Sequence, residues 1–413
     1  MNAADSDCLA DALAARGYTA AESPAGADLL IVNTCSVRAH AETRAKARIA
    51  EYARKKASAG RPQMLWVIGC MAERLGESLR AEIPGIDRVI GAQQLEYISQ
   101  ELDSMLDGQA PAHSREESPA AAPVSAFLPI MRGCDNYCSY CVVPYVRGRE
   151  HSIPAHALCR QAQDLARRGA REITLLGQNV NSYRDNAVDF ADLLRALHAI
   201  DGIERIRFTT SHPKDCSEKL IRTVAELPKL CKHFHLPVQS GSTRILQAMN
   251  RNYSRESYLR LIDAIRTAVP DADITTDVMV GFPGETDDDF AQTMSLFERV
   301  RFTTAFMFAY SAREETAAAR LADRVPEHVK KQRLERIIAL ETAITKEIYA
   351  GMVGSTAHVL ITGRQNRRGT AWVGQDNGCK RVLMRCGGEP AGTILPVKVV
   401  RSTGMTLIAE RTA

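Results

Sequence analysis

The sequence lacks the long apolar run that a membrane-spanning helix needs. Its longest apolar stretches, such as Met64–Cys70, are far shorter than the ~18 residues that such a helix requires. The first residues, Met1–Asp7, contain neither the basic start nor the apolar stretch of a secretory signal. We therefore expect a protein of the cytoplasm without a membrane partner. Its 413 residues have ordinary globular composition and suffice for about two to four domains.

Cysteine, by contrast, is abundant, with 11 residues. Disulfide frameworks belong mostly to secreted proteins, and an odd number of cysteines cannot all pair within one chain. The cysteines therefore indicate metal or redox chemistry. Cys134, Cys138 and Cys141 follow one another at spacings of four and three residues, just beyond a predicted strand.

Three thiolates at this spacing can hold three irons of a [4Fe–4S] cluster and leave the fourth iron open. An open iron can chelate the amino and carboxylate groups of S-adenosylmethionine. Electron transfer into the sulfonium then breaks a C–S bond and yields an adenosyl radical. A structural zinc site, which would need a fourth ligand, and ordinary core cysteines are the alternatives. The strand-end position and the aromatic Tyr140 before the last cysteine favour the cluster.

Strand and helix patterns alternate along most of the chain, which predicts an α/β protein. A helix capped at Asp5-Ser6 and apolar strands at Leu29–Val32 and Met64–Ile68 predict a parallel N-terminal α/β domain. Six later strands alternate with amphipathic helices and predict a partial TIM-like barrel, (β/α)6, with its chemistry at the carboxyl ends of the strands. These six strands are predicted near Leu128–Met131, Glu172–Leu176, Arg205–Thr209, His233–Val238, Ile274–Val280 and Thr304–Tyr310.

The tail has a different pattern, with short strands separated by Gly-rich turns. It predicts a small five-stranded β-barrel of OB-like kind. The strands are predicted at Thr356–Ile361, Thr370–Val373, Arg381–Met384, Ile394–Val400 and Thr406–Ala409. Lys and Arg outnumber Asp and Glu by nine to three from residue 351 onward, although the whole chain carries only +4. This excess suggests a polyanion such as nucleic acid, with a solvated surface as the alternative.

A Pro- and Ala-rich segment separates the first domain from the barrel and is typical of a linker. The chain is therefore predicted to divide into an N-terminal domain at 1–108, a linker at 109–124, the barrel at 125–350 and the tail barrel at 351–413.

Seven motifs together resemble the radical-SAM methylthiotransferase family over nearly the whole chain. They are Asn33–Arg38, Gly69–Glu73, Arg132–Glu150, Gly177–Tyr183, Phe208–Pro213, His235–Ser242 and Gly281–Glu285. The sequence of Arg132–Glu150 is similar to that of the family branch that modifies tRNA carrying N6-isopentenyladenosine at position 37. The resemblance implies addition of a methylthio group at C2 of that adenine, with one S-adenosylmethionine as radical source and another as methyl donor. Alternatives are the branches acting on threonylcarbamoyl-adenosine tRNA or a ribosomal protein, and a tRNA-binding relic without turnover.

Two further cysteines, Cys35 and Cys70, each follow an apolar strand. If these strands are neighbours in a parallel sheet, both thiols lie at one edge, where α/β sheets place ligands; buried core thiols are the alternative. The resemblance implies that they are two of three ligands of an auxiliary [4Fe–4S] cluster that handles the sulfur.

The family pattern places the third ligand shortly before Asp5-Ser6, upstream of Met1, and Cys8 lies about a turn or more away on a predicted helix. Either the true start lies upstream, or the auxiliary cluster is incomplete. We favour an upstream start, because losing a central strand would expose an unpaired sheet edge.

The resemblance also implies binding residues for S-adenosylmethionine. They are Tyr140, Gln178, Gln239, Gly281, Gly284 and Glu285. The two glycines suit a close approach of the backbone to a ligand, although a structural turn would explain them equally well. His212 and His235 stand at strand ends and either line the barrel mouth or are structural.

The tail resembles the TRAM-like RNA-binding barrel that ends these enzymes, which makes tRNA the predicted partner. Trp372 is its only aromatic residue, so we expect attraction to the RNA backbone to outweigh base stacking. The candidate RNA-binding residues are Arg147, Arg149, Arg364, Arg367, Arg368, Lys380 and Arg381, with solvated surface charges as the alternative. The sequence of Gly374–Arg381 departs from the one that is usual in the family. The chemistry also implies an electron donor and a sulfur source, and we expect a monomer.

Overall fold

A computed structural model describes residues 1–36, 39–96, 98, 102, 122–365, 371–385 and 389–412. It divides into two compact units. The first comprises Met1–Ala120, Arg132–Glu150 and Ser311–Ala319, and the second comprises Ala121–Met131, His151–Tyr310 and Arg320–Ala413. Residues 109–121 of the predicted linker lie outside the described residues. Across the described ranges, no helix is long and apolar enough to cross a membrane.

The first unit is built on a three-stranded parallel sheet in the order β1-β2-β3. Its strands are β1 (Leu29–Thr34), β2 (Met64–Gly69) and β3 (Arg88–Gly91). Its helices are α1 (Asn2–Ala14), α2 (Ala39–Ala59), α3 (Cys70–Leu75), α4 (Glu77–Glu82) and α5 (Val143–Arg147). The parallel α/β prediction and the neighbouring positions of the first two strands are confirmed.

Strand β2 is buried on both faces, as expected for the centre of a parallel sheet. Leu65 and Val67 pack in the cluster that contains Ile49, whereas Trp66 and Ile68 pack in a second cluster on the opposite face. The predicted cap of α1 at Asp5-Ser6 is wrong. The helix begins at Asn2, and Asp5 lies within it, buried against two arginines.

The second unit contains the six predicted strands as two three-stranded parallel sheets, in the orders β10-β7-β4 and β11-β12-β13. A parallel bridge between Ile206 and Leu230 joins β10 to the segment before β11. One hydrophobic core runs through both sheets, and the partial barrel is confirmed. The strands are β4 (Ser125–Pro129), β7 (Glu172–Leu176), β10 (Arg205–Phe208), β11 (His233–His235), β12 (Asp273–Val280) and β13 (Thr304–Ala309).

Helices and short strands connect these elements. The helices are α6 (Ala155–Arg167), α7 (Phe190–His198), α8 (Glu218–Glu226), α9 (Thr243–Ala248), α10 (Arg255–Ala268), α11 (Asp287–Val300) and α12 (Glu327–Gly351). The two-residue strands are β5 (Met131–Arg132), β6 (His151–Ser152), β8 (Arg184–Asp185) and β9 (Val188–Asp189).

The tail forms the predicted five-stranded barrel, closed in the order β14-β15-β16-β18-β17. Its strands are β14 (Thr356–Arg364), β15 (Ala371–Gln375), β16 (Arg381–Arg385), β17 (Ile394–Ser402) and β18 (Leu407–Arg411). Closure leaves no open sheet edge. Within the second unit, Arg205 of β10 donates hydrogen bonds to Gln375 O at 2.7 Å and His358 O at 2.6 Å. These bonds fasten the tail barrel to the parallel strands.

Candidate active site

Cys35 and Cys70 lie at one edge of the first sheet. Strands β1 and β2 pair in a register that places Thr34 opposite Gly69, so each cysteine follows a member of the same pair. Gly69 has φ +97°, and a Cβ at this position would lie 2.5 Å from Thr34 O. Only glycine therefore permits this approach of the two strands. Burial raises the pKa of Cys70, and Cys35 acts in the same direction, whereas Arg147 opposes the shift.

A network of ion pairs holds the segments that carry these two cysteines. Arg74 of α3, the helix that begins at Cys70, donates to Ser36 Oγ at 3.1 Å and to Glu42 Oε2 at 2.7 Å. Its other nitrogen donates to Glu315 Oε1 at 3.0 Å. Charge-assisted hydrogen bonds of this kind are stronger than neutral ones. The loop after β1 and the helix after β2 are therefore tied to each other within this unit.

Cys134, Cys138 and Cys141 belong to the same compact unit and are all half-buried. Asn136 Nδ2 donates to Cys134 Sγ at 3.4 Å, and Cys141 N donates to Cys138 O at 3.0 Å. Burial raises the pKa of Cys134, and the hydrogen bonds from Asn136 oppose this. The loop passes close to its own return segment at Gly133 (φ +75°), where a Cβ would lie 2.0 Å from Arg149 O.

The three thiols of this loop fit an iron–sulfur cluster better than a single metal ion. In the part of the chain that the structure describes, no three His, Cys, Asp or Glu side chains are grouped closely enough to hold one ion. A [4Fe–4S] cluster needs a different arrangement, since each thiolate binds a separate iron. Three half-buried thiols on one loop supply a donor set of that kind.

The loop after β12 contains the glycines predicted to bind S-adenosylmethionine. Gly281 and Gly284 have φ +71° and +80°. Glu285 is buried, and its Oε1 accepts from Gly281 N at 2.9 Å and from Arg333 Nη1 at 2.7 Å. Burial raises the pKa of Glu285, while Arg333 acts against this shift. The Glu285 carboxylate therefore closes the loop internally. Its contact with S-adenosylmethionine stays a prediction.

Two glutamines stand in the barrel of the second unit. Gln239 is buried with φ +68°, its N donates to Asp277 O and its O accepts from Met279 N, both at 2.9 Å. Gln178 Oε1 is buried and has no hydrogen-bond donor among the described residues. Since a buried unpaired acceptor costs about 1–3 kcal/mol, a donor group of a bound ligand would be stabilised there. This acceptor fits a molecule with an amino group, as S-adenosylmethionine has.

The comparisons with known proteins are consistent with these features. The chain matches the uncharacterised protein family UPF0004 at residues 1–91 and the radical SAM superfamily at residues 128–297. The tRNA-2-methylthio-N(6)-dimethylallyladenosine synthase of Geobacter metallireducens is 43% identical over 99% of this chain and 96% of its own length. The enzyme of the same name from Syntrophomonas wolfei is 41% identical over 99% of this chain and 95% of its own. The chain belongs to this family of synthases.

Solved structures support the fold. The radical S-adenosylmethionine methyltransferase TsrM from Kitasatospora setae, with tryptophan substrate and an analogue of S-adenosylmethionine bound, matches with a TM-score of 0.53. The match covers 76% of this chain and 67% of that one at 14% identity. This likeness confirms the radical-SAM fold of the family member described here. The family uses [4Fe–4S] clusters and S-adenosylmethionine, and the three thiols of the Cys134–Cys141 loop supply the donor set of a cluster with one open iron.

The two predicted histidines have different surroundings. His212 is buried beside Tyr253, and burial lowers its pKa to about 2. His235 lines a cavity of about 330 Å³ in the second unit, together with His233 and Phe306. The first is therefore enclosed by the protein, and the second lines a cavity to which the tail segment Gly378–Lys380 also contributes.

Two of the predicted RNA-binding residues are buried, which makes that prediction wrong for them. Arg147 pairs with Asp5 at 3.0 Å, and its side chain is 5% exposed. Lys380 pairs with Asp273, and its side chain is 7% exposed. Both cations are neutralised inside their units and are not available to a phosphate. Arg149, Arg364 and Arg381 are exposed, and Arg367 and Arg368 lie outside the described residues.

The ion pairs of Asp5, Arg74 and Glu315 were not predicted from the sequence. Arg74 and Glu315 are 241 residues apart in the chain, and Asp5 meets Arg147 across 142 residues. No local sequence pattern predicts contacts between residues so far apart, although Asp5-Ser6 is part of the sequence pattern of the family.

Proposed function

We propose that this chain adds a methylthio group at C2 of N6-isopentenyladenosine (N6-dimethylallyladenosine) at position 37 of tRNA. The observation that carries the proposal is the shared sheet edge of Cys35 and Cys70, in the unit that also contains the three-cysteine loop. A loop with three cysteines serves many radical reactions, but a second pair of thiols suits a reaction that also transfers sulfur. The names of relatives that align over nearly their whole length supply the substrate.

Each cysteine group has a distinct role in this proposal. Cys134, Cys138 and Cys141 hold a [4Fe–4S] cluster with an open iron, which when bound supplies the reductive cleavage of S-adenosylmethionine. Cys35 and Cys70 contribute to an auxiliary [4Fe–4S] cluster that handles the sulfur. Each of the two follows the end of one of two paired strands, which places both at the same sheet edge.

The second unit receives the substrates. The backbone of the Gly281–Gly284 loop, with Gln178 and Gln239, binds S-adenosylmethionine, and the internal Glu285–Arg333 pair holds that loop in shape. On the tail barrel, Arg364 lies over the ring of Trp372 at 5.1 Å and, with exposed Arg381, offers positive charge to the tRNA backbone. We also propose that the domains divide at 1–108, 109–124, 125–350 and 351–413, as the sequence predicts.

We further propose that the protein is a cytoplasmic monomer that takes electrons and sulfur from separate donors. The experiment that tests the proposed function identifies the modified nucleoside formed in cells. Cells lacking this gene would be complemented with the chain or with its Cys134→Ala variant, and their tRNA nucleosides analysed by mass spectrometry.

The 2-methylthio derivative of N6-isopentenyladenosine should appear with the chain and be absent with the variant, where the unmodified N6-isopentenyladenosine accumulates. If the gene-deleted cells instead lack the methylthio group on threonylcarbamoyl-adenosine, the assigned substrate is contradicted.

A further inference from the structure

Two tyrosines of the first unit hold their rings in solvent at the three-cysteine loop. Tyr137 lies within that loop, directly before Cys138, and Tyr145 lies on helix α5. The two residues are 46% and 51% exposed, and their ring centroids lie 6.4 Å apart at an interplanar angle of 82°. Among the described residues, no other aromatic pair has both rings exposed. In this edge-to-face arrangement, ring faces stay open to a further aromatic group.

The packing of helix α5 fixes the position of Tyr145. The helix buries Pro144 and Val146, the residues on either side of Tyr145. Val146 packs with Val142 in a buried cluster, and the backbone N–H of Tyr145 donates to Val142 O at 3.0 Å. The Tyr145 ring is therefore exposed on an anchored helix and not on a loose segment.

The backbone holds Tyr137 in a conformation that bulky residues rarely adopt. Its φ is +45°, in the left-handed region. The preceding Asn136 is buried, and its Nδ2 donates to Cys134 Sγ at 3.4 Å. Left-handed residues of this kind cluster at functional sites, where the surrounding structure holds them. The turn therefore directs Asn136 toward the protein and Tyr137 toward solvent.

An exposed arginine is tied to the same loop. The side chain of Arg149 is 82% exposed, and its Nη2 donates to Asp135 Oδ2 at 3.1 Å. Asp135 stands two residues before Tyr137 and also accepts from the backbone N–H of Glu150 at 3.2 Å. Solvated ion pairs contribute little free energy, so Arg149 can exchange this partner for a phosphate. Two aromatic rings with a nearby cation are the combination that binds single-stranded nucleic acid.

The reaction proposed above leaves a base that this surface fits. Position 37 lies in a single-stranded loop of tRNA, and enzymes that act on a base move it out of the stack. The bases on either side of it then lose a stacking partner. An aromatic side chain beside the reacting centre can replace that partner, because every base has a face that stacks. The exposed charges of Asp135 and Arg149 favour RNA over a protein, since protein interfaces are depleted of charge at their centre.

We propose that the Tyr137 and Tyr145 rings stack on an unpaired base next to the target adenosine, while Arg149 binds an RNA phosphate. The proposal rests on the proposed function, because that function supplies tRNA as the substrate. The two rings replace the stacking that the flanking base loses when adenosine 37 leaves the stack. They do so on the loop that carries the three cysteines.

The test measures binding of hairpin RNA to the full chain, reconstituted anaerobically, with iron content determined for every variant. The complete hairpin has the anticodon stem and loop with N6-isopentenyladenosine at position 37. Two further hairpins lack the base directly before it or directly after it. The variants are Tyr145→Ala, Tyr145→Phe, Tyr137→Asn, Tyr137→Phe and Arg149→Ala.

Two choices keep the comparison clean. Asn is favoured at positive φ, so Tyr137→Asn removes the ring without adding backbone strain. Tyr52→Ala is the matched control, because Tyr52 is a partly exposed tyrosine of the same unit whose ring already has Arg48 over it at 5.7 Å.

Removal of either ring should weaken binding of the complete hairpin by about 5- to 150-fold, the range for stacking of one base on an aromatic side chain. The two Phe variants keep the ring and should bind like the parent. The loss in Tyr145→Ala should largely disappear with one of the two abasic hairpins, because the stacked base is then already missing. Arg149→Ala should lower the salt slope by about 1, whereas the tyrosine variants leave it unchanged. Tyr52→Ala should match the parent.

Equal affinity of Tyr145→Ala, Tyr137→Asn and the parent would overturn the stacking role, and so would an equal loss with all three hairpins. Unchanged RNA binding with slower reduction by a small flavoprotein would assign the surface to a protein partner and overturn the proposal. If Tyr137→Asn loses iron, Tyr145→Ala decides, because Tyr145 lies outside the cysteine loop. A parent that binds no hairpin would contradict the proposed function itself. A parent that binds, with tyrosine variants equal to it, overturns the role of the two tyrosines alone.

Discussion

Replacing Arg333 by Met should expose how strongly the loop at Gly281–Glu285 depends on one buried ion pair. Arg333 Nη1 donates to the carboxylate of Glu285 at 2.7 Å and to its carbonyl oxygen at 3.1 Å. The two side chains are only 6% and 1% exposed. The second partner, Asp287, is 96% exposed and adds little. The perturbation therefore acts almost entirely through Glu285.

The expected loss is that of breaking a buried pair by removing one partner, about 3–5 kcal/mol in the free energy of unfolding. Adding Glu285→Gln to Arg333→Met should recover part of this loss. The amide removes the buried charge and keeps an oxygen for the N–H of Gly281, which Glu285 now accepts at 2.9 Å.

The loss should also depend on pH. Burial raises the pKa of Glu285, and Arg333 opposes the rise, so the variant should have a still higher pKa. An acid whose pKa is raised by folding favours the folded state when protonated, and that contribution disappears as pH increases through its folded pKa. The deficit of Arg333→Met should therefore be smaller at about pH 5 than at about pH 8.

Urea unfolding of the parent, the single and the double variant at both pH values measures these differences. Hydrogen exchange of the Gly281 amide reports the loop itself. A loss below about 1 kcal/mol, the range of solvated ion pairs, or an equal loss at both pH values would refute the reasoning.

Three further predictions concern the cysteines, the sheet edge and the tail. Cys138→Ala should abolish cleavage of S-adenosylmethionine, measured as release of its adenosyl fragment, while Cys159→Ser on α6 should cleave normally; cleavage by the Cys138 variant would contradict its role. Gly69→Ala should separate β1 from β2 and sharply reduce auxiliary iron, because its Cβ would overlap the β1 backbone, whereas Gly60→Ala, also at positive φ but with open space around it, should not. Equal iron content in the two glycine variants would contradict the inference that the close approach of β1 and β2 supports the auxiliary cluster. Arg364→Ala should weaken tRNA binding and lower the salt slope by about 1, and an unchanged slope would exclude a phosphate contact.

Much of the fold follows from local patterns. Strand β2 is apolar on both faces, and the strands of the partial barrel recur with amphipathic helices between them, so both were predictable from hydrophobic period. Strand β3 was missed because Arg88–Gly91 contains only two large apolar residues, too few for a pattern. The edge position of Cys35 and Cys70 was predictable, since it needs only the strand ends and a parallel pairing.

Errors arose where a charged residue meets a partner distant in sequence. From their neighbours in sequence, Arg147 and Lys380 resemble surface cations. In the structure they are buried, and each pairs with a carboxylate far away in the chain, Asp5 at 142 residues and Asp273 at 107 residues. The internal ion pair of Glu285 was not predicted for a similar reason, because Arg333 lies 48 residues further along. Local sequence shows that a residue is charged, but tertiary packing decides whether that charge faces water.

The most direct test of the central claim is an anaerobic reaction of the reconstituted chain with S-adenosylmethionine, a reductant, a sulfur source and defined tRNAs. One tRNA carries N6-isopentenyladenosine at position 37, a second carries threonylcarbamoyl-adenosine and a third carries unmodified adenosine. Mass spectrometry of the nucleosides should find the 2-methylthio product with the first tRNA alone. No product with any tRNA, or product only with the second, would contradict the account.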